Sequence, residues 1–315
     1  YDTILEVDEQ TVSSLSFQAG DDTLTFLRDG ASWSLQGDDT FPVDSAVLSD
    51  LLSYLSPLRA VRTLEDITDT SDYGFADPQN EFSIVDEEGR KTTVTIGATN
   101  DSTGDDYLML NGDEATIYTV SDSLRSAVSD DLYDYAKSEE LPSLLTGDVT
   151  GISLTDSSGT LLYRLILDEA SDSWSVADEM GTAEKGNQEA IQEAISSFTS
   201  SLYYMDFLEH NCTDWTPYGL DESQTLTVTF RSSSASSAPA VSSDEEDSAQ
   251  DETETEPATE KSRDEELTLT LFIGDTDDSG NYYVRQGDSA QVHTISSYAL
   301  EELLSGRSQD WAVSE

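Results

Sequence analysis

Val94-Thr95-Ile96-Gly97 in the first half of the chain and Leu271-Phe272-Ile273-Gly274 in the second are the same short apolar run ending in the same glycine. What surrounds them repeats in the same order. The first copy reads Leu24-Thr25-Phe26-Leu27-Arg28, Trp33-Ser34-Leu35, a helical pattern and Tyr73-Gly74-Phe75 before its Ile-Gly. After it come Tyr107-Leu108-Met109-Leu110 and Ile117-Tyr118-Thr119-Val120-Ser121. The second copy reads Leu161-Leu162-Tyr163-Arg164-Leu165, Trp174-Ser175-Val176, a helical pattern and Tyr218-Gly219-Leu220. Tyr282-Tyr283-Val284-Arg285 and Val292-His293-Thr294-Ile295-Ser296 then follow its Ile-Gly. A self-similar order over this length is the mark of a repeated structural unit.

Spacing supports the match. The tryptophan stands 41 residues before the glycine of Tyr-Gly in the first copy (33 to 74) and 45 in the second (174 to 219). The glycine of Ile-Gly stands 21 residues before Tyr118 (97 to 118) and 19 before His293 (274 to 293). Only the stretch between Tyr-Gly and Ile-Gly differs widely, 23 residues (74 to 97) against 55 (219 to 274). The difference is an acidic insertion at residues 232–266, rich in Ser, Ala, Glu, Asp and Thr. It has almost no large apolar side chain to offset its ordering entropy, so it is expected to be disordered. It interrupts a hairpin that enters through Leu226-Thr227-Val228-Thr229-Phe230 and leaves through Leu267-Thr268-Leu269-Thr270-Leu271. The first copy closes the same hairpin with Asp86-Glu87-Glu88-Gly89.

Local patterns define the unit. Val12 to Phe17 and Thr92 to Ile96 alternate with the period of half-buried strands. Val47, Leu48, Leu51, Leu52 and Leu55 form a helical stripe behind Asp44, a helix-capping residue, and Ile191, Ala194, Ile195, Phe198 and Leu202 form the matching stripe. Short C-terminal helices are expected over 121–128 and 297–304. The fold class is therefore α+β: two tandem homologous units, 1–140 and 141–315, each a mainly antiparallel sheet with a packed central helix and a short C-terminal helix. Pro142 and Gly147 interrupt the pattern at the boundary.

Composition narrows the function. Fourteen basic against 66 acidic residues leave a net charge of −52, a field that disfavours nucleic acid and anionic lipid surfaces and leaves cationic partners open. The single cysteine, Cys212, has no partner for an internal disulfide. No run reaches the roughly 18 apolar residues of a membrane span. The chain starts at Tyr1 without a methionine, and the expectation is that an export signal or membrane anchor precedes it natively.

Trp33, Phe41-Pro42-Val43-Asp44, Tyr73-Gly74-Phe75-Ala76-Asp77-Pro78 and Ile96-Gly97 followed by a tyrosine hairpin resemble the bacterial family called domain of unknown function 4340. The second copy repeats the pattern more loosely, with Ala183-Glu184-Lys185 and Asp221-Glu222-Ser223 at the divergent places. The resemblance implies an envelope protein, commonly anchored by an N-terminal segment and often encoded near transporter genes of the gliding-motility auxiliary type. It brings no assigned catalytic residues.

The candidate chemistry is sparse. Glycine in a tight turn and a tyrosine packed on the sheet explain the Tyr-Gly pairs as well as twin ligand sites do. Trp33 and Trp174 read as core. Tyr203, Tyr204, Trp215, Tyr282 and Tyr283 have only weak counterparts in the first copy and are the candidates for a ligand-binding aromatic surface. Asp275, Asp277 and Ser279 match the start of a calcium loop, but Gln286 stands where the bidentate glutamate belongs. His210, Cys212 and Asp214 offer too few soft ligands for zinc. The expected function is a non-catalytic, extracytoplasmic binding or assembly module of a cell-envelope protein. It would be monomeric, secreted or anchored in the membrane, and would engage an envelope protein or a glycan beside a membrane transporter. No cofactor is expected, with calcium the one considered. The alternative is a secreted glycan-active hydrolase with a carboxylate pair between the two units.

Overall fold

The computed structural model describes residues 1–232 and 265–313, and the chain divides into two compact units, Tyr1–Glu139 and Glu140–Glu315. The first unit opens with β1 (Asp2–Leu5), β2 (Val12–Ala19), β3 (Asp22–Asp29), β4 (Ser32–Leu35) and helix α1 (Ser45–Leu55). It continues with β5 (Leu58–Ala60), β6 (Arg62–Leu64), β7 (Asn80–Asp86), β8 (Lys91–Thr99), β9 (Asp106–Leu110), β10 (Ile117–Val120) and α2 (Ser123–Ser126). Its main sheet is antiparallel in the order β4-β3-β2-β7-β8-β9-β10-β6, with β1 pairing separately with β5.

The second unit contains β11 (Val149–Thr155), β12 (Leu161–Asp168), β13 (Ser173–Ala177), β14 (Ala183–Lys185), α3 (Gln188–Ser200) and β15 (Phe207–Glu209). Then come β16 (Gln224–Arg231), β17 (Glu266–Thr276), β18 (Tyr282–Gln286), β19 (Val292–Ile295), α4 (Ser297–Ser305) and α5 (Ser308–Trp311). The sheet order is β14-β13-β12-β11-β16-β17-β18-β19-β15, that of the first unit with β14 added at one edge.

One face of each sheet is apolar because the strands alternate. In the first unit Leu15, Phe17, Phe26, Phe82, Val94, Ile96 and Leu108 join Leu48, Leu51, Leu52 and Leu55 of α1 in one core. Asp44 caps α1 by accepting the Ala46 N–H at 2.9 Å. Each fully buried leucine is worth roughly 2 kcal/mol over leaving it in water. In the second unit Ile191, Ala194, Ile195 and Phe198 of α3 complete the equivalent core, and Leu202 packs partly buried beyond the helix end. Trp174 is buried, whereas Trp33 is only half-buried, because it stands on the edge strand β4 with Arg28 against its ring.

The C-terminal helices differ. Residues 297–305 are helical as expected, but in the first unit only the single turn α2 forms, and Asp130, Asp131 and the 3-10 turn Leu132–Tyr135 follow. That turn places Tyr135 in the core, where it packs 5.2 Å from Phe17 and donates its hydroxyl to the Ser129 carbonyl at 2.9 Å. Arg125 on α2 meets the buried Asp106 at 3.0 Å.

Most of the expected insertion, 233–264, lies outside the described residues. Its ends belong to the hairpin: Arg231 pairs with Glu266, and the Ser232 N–H donates to the Glu265 carbonyl at 3.1 Å. Other hairpins share one closure. Among the described residues, Asp86, Asp156, Asp178 and Asp277 each accept the backbone N–H groups of the second and fourth residues ahead. In each the third residue is a glycine at φ between 78° and 85° that donates back to the aspartate carbonyl. The Arg90 N–H holds the Asp86 carboxyl below its usual range, and the Ser158 hydroxyl does so for Asp156.

The repeated glycines also have a shared cause. Gly74 and Gly219 end 3-10 turns at φ 79° and 64°, a left-handed conformation that suits glycine. Each turn presses on the bulged strand bearing Ile-Gly. A methyl group on Gly97 would stand 2.1 Å from the Tyr73 carbonyl oxygen, and one on Gly274 would stand 2.1 Å from that of Tyr218. Gly97→Ala and Gly274→Ala are each expected to lower unfolding free energy by about 2 kcal/mol or more, since backbone must move. Gly147→Ala, with open space and an ordinary φ, is expected to change it by less than about 0.5 kcal/mol. Denaturant titrations of the three variants check this.

Candidate functional site

The face of the second sheet opposite α3 is built from the alternate residues of each strand. Register sets them in rows: Arg164, Ser153, Thr227 and Thr270 lie across β12, β11, β16 and β17, and Thr155, Thr225, Phe272 and Arg285 lie across β11, β16, β17 and β18. The strands β11, β16, β18 and β19 contain no acidic residue, and β12 and β17 carry theirs at or next to their ends, as Asp168, Glu266 and Asp275. The first sheet sets Thr25, Ser16, Ser83 and Thr93 in the row equivalent to the first of these. Thr95 and Met109 stand where the second sheet has Phe272 and Arg285. Hydroxyls are thus common to both faces, while arginines at these two positions belong to the second sheet.

Two features shape this face. Gly151, at a bulge beside Thr150, leaves a cavity of about 260 Å³ between Arg164, Ile166, Ser153, Thr227 and Thr229, with Glu169 and Glu266 at its rim. The glycine is required there because a methyl would come within 2.6 Å of the Thr229 hydroxyl. Toward β18, residues 208–220 cover the sheet. Cys212, Leu220 and Val292 form a small apolar cluster with Leu208, Trp215, Tyr218 and Phe272. Arg285 packs on two of these rings, 4.6 Å from the Trp215 centroid and 4.3 Å from that of Phe272.

The aromatic residues picked out from sequence do not form one surface. Tyr203 is 55% exposed in the turn after α3. Tyr204 stacks on His293 at 3.8 Å and donates its hydroxyl to Gln286 at 2.8 Å. Tyr282 packs against the main core, and burial raises its phenol above the usual range. Tyr283 lies on the opposite face, edge-on to Tyr218 at 5.3 Å, as Tyr107 is to Tyr73 at 4.8 Å. Tyr283, not Tyr282, is therefore the counterpart of Tyr107, and one residue of slip exchanges the two faces of a strand. Trp215 and Tyr283 share the outer face. Sequence reasoning missed Arg164 and Arg285. Their signal is a basic residue in mid-strand of a strongly acidic chain, legible once the tyrosine register is right.

The calcium-loop residues are engaged by the chain itself. Asp277 accepts the Ser279 and Asn281 N–H groups at 2.8 Å and the Asn281 side-chain amide at 3.2 Å, the turn seen at Asp86, Asp156 and Asp178. Asp275 lies against Gly219, where a methyl would meet its carboxyl carbon at 2.5 Å. Among the described residues no group of three or more His, Cys, Asp or Glu is placed to hold a metal ion. Burial pushes the Cys212 thiol up to about 11, with Glu209 adding to the rise, and its sulfur donates to the Asp214 carbonyl at 3.2 Å. Burial, then Glu193, raises the Glu302 carboxyl, which sits on the exposed side of α4 and does not line the cavity described above.

Calcium and magnesium at equal concentration are expected to shift the melting temperature equally; a calcium-specific rise would reveal a folded-state site. His293 is fully buried between Tyr204 and Phe207, and burial pushes its imidazole down to about 4. The unfolded chain takes up this proton near 6.5 while the folded chain resists it. The stabilisation is therefore complete above 6.5 and declines as pH falls towards 4. Over that interval the wild type is expected to lose more melting temperature than His293→Phe, a comparison that subtracts the carboxylates titrating in both.

No curated protein and no solved structure matches the chain. The family model described as a domain of unknown function (DUF4340) matches residues 33–223 and again 182–314. Together these overlapping stretches take in the whole second sheet, with the face just described, and the first unit from Trp33 onward, and the chain belongs to the DUF4340 family.

Proposed function

We propose that this chain is a non-catalytic, extracytoplasmic binding or assembly module of a bacterial cell-envelope protein, accessory to a membrane transporter. Its ligand contact is assigned to the outer face of the second sheet. Two homologous units, descended from one by duplication, account for the shared strand order, for the repeated Tyr-Gly and Ile-Gly contact and for the double family match. One of the two then diverged towards binding.

The observation that carries this reading is the distribution of charge. A chain of net charge −52 keeps acid out of the middle of this face and places Arg164 and Arg285 there, where the first sheet has Thr25 and Met109. Like charges facing each other across strands are unfavourable, which explains the missing acid in the middle of this face, although the first sheet keeps Glu81 opposite Thr95. It does not explain the arginines. Open hydroxyls at hydrogen-bonding spacing suit a polyhydroxylated or polar partner, whether glycan or protein.

A photo-crosslinking residue at Thr227 in the full-length protein, in intact cells, tests the reading. Adducts are expected at Thr227, quenched by a reagent that does not cross membranes, and not at Ser53 on α1. Adducts formed equally at both positions, or insensitive to the reagent, would overturn it.

A further inference from the structure

We infer that Arg285 is an anion-recognition residue that binds the carboxylate of an acidic glycan lying on the outer face of the second sheet. This rests on the reading of that face as the ligand surface and names the ligand's chemistry.

The Arg285 side chain has no ion pair and no hydrogen bond among the described residues, in a chain carrying 66 acidic residues. Its Nε is buried without an acceptor, so protein groups do not satisfy the charged head. An unmatched guanidinium donor shielded from water is unfavourable, and the two aromatic rings offset that. The residue is half-buried, and its two terminal nitrogens have no partner among the described residues. The nearest carboxylate on the row, Glu209, is held by the Tyr218 hydroxyl at 3.0 Å.

The fold does not demand this residue, since Met109 fills the equivalent position of the first sheet. Trp215, supplied by the covering segment, fixes the orientation of the guanidinium and lowers the entropy lost when it binds. One planar guanidinium matches the two oxygens of one carboxylate. At physiological ionic strength charges beyond about 8 Å are largely screened, so a local arginine governs contact with a single carboxylate. Thr225, Thr227 and Thr270 lie one to two strands away with no hydrogen bond to other described side chains, and they are the partners for ring hydroxyls.

Titration calorimetry on the full chain tests this with three probes: an oligogalacturonate, the same oligomer as its methyl ester, and a glycerol-phosphate oligomer. The carboxylate form is expected to bind best. Arg285→Met, the side chain found at position 109, is expected to weaken it roughly tenfold to a hundredfold with the melting temperature little changed. Arg285→Lys is expected to fall between. Equal binding of the acid and its ester, with Arg285→Met neutral, would overturn the inference while leaving the face as a glycan surface. Preference for the phosphate oligomer, or no binding of any probe, would also overturn it, and crosslinking at Thr227 would still report on the face independently.

Discussion

Both sheets depend on a single close approach: a tyrosine carbonyl resting where a side chain on the Ile-Gly strand would be. At Gly97 and at Gly274 there is no room for even a methyl group, so the 3-10 turn and the bulged strand lie backbone to backbone. This contact anchors the long connection between the central helix and the second half of each sheet. It also sets the tyrosine of the turn edge-on against the tyrosine of the following hairpin. In the second unit the anchored connection is the segment that brings Trp215 over the sheet. The ring that orients Arg285 is thus delivered by the same constraint that makes the fold possible.

The elements that announced themselves in the sequence are those with dense apolar periodicity. The leucine stripe behind Asp44 and the Ile191 to Phe198 stripe are helices with those faces buried, and the strands around Ile96 and Ile273 pair as their alternation implies. What was not legible depended on register or on tertiary partners. Two adjacent tyrosines, Tyr282 and Tyr283, offer no local clue to which faces the core, and the wrong alignment sets Arg285 against Leu110 and hides its match with Met109. Helix α2 stops after one turn because Tyr135 enters the core from the segment that follows, a long-range event with no periodic signature. Asp277 looks like a metal ligand in one dimension, and its hydrogen bonds to the loop backbone emerge only in three.

Electrostatics orders the rest. With so much negative charge, the chain cannot set acid opposite acid in a ladder, and it relegates these residues to loops, helix surfaces and strand ends. Several are then put to structural use at hairpin turns, where carboxylates accept backbone N–H groups and extra negative charge is tolerated in water. Neutral hydroxyl-bearing sheet faces are the by-product. Against that background Arg285, held on two aromatic rings, is a local inversion of the molecular field, and its position rather than its rarity gives it meaning.

The hairpin of β16 and β17 has a different kind of independence. Its eight paired positions run without a shift from Gln224 opposite Ile273 to Arg231 opposite Glu266, whereas the tight hairpins owe their alignment to an aspartate and a glycine in the turn. Here alignment is stored in the ladder itself, and lengthening a connection adds only a logarithmic entropy cost. The connection is therefore uncoupled from the geometry of the sheet. Evolution can rewrite its length and composition there as one edits a margin, leaving the arginine-bearing face undisturbed.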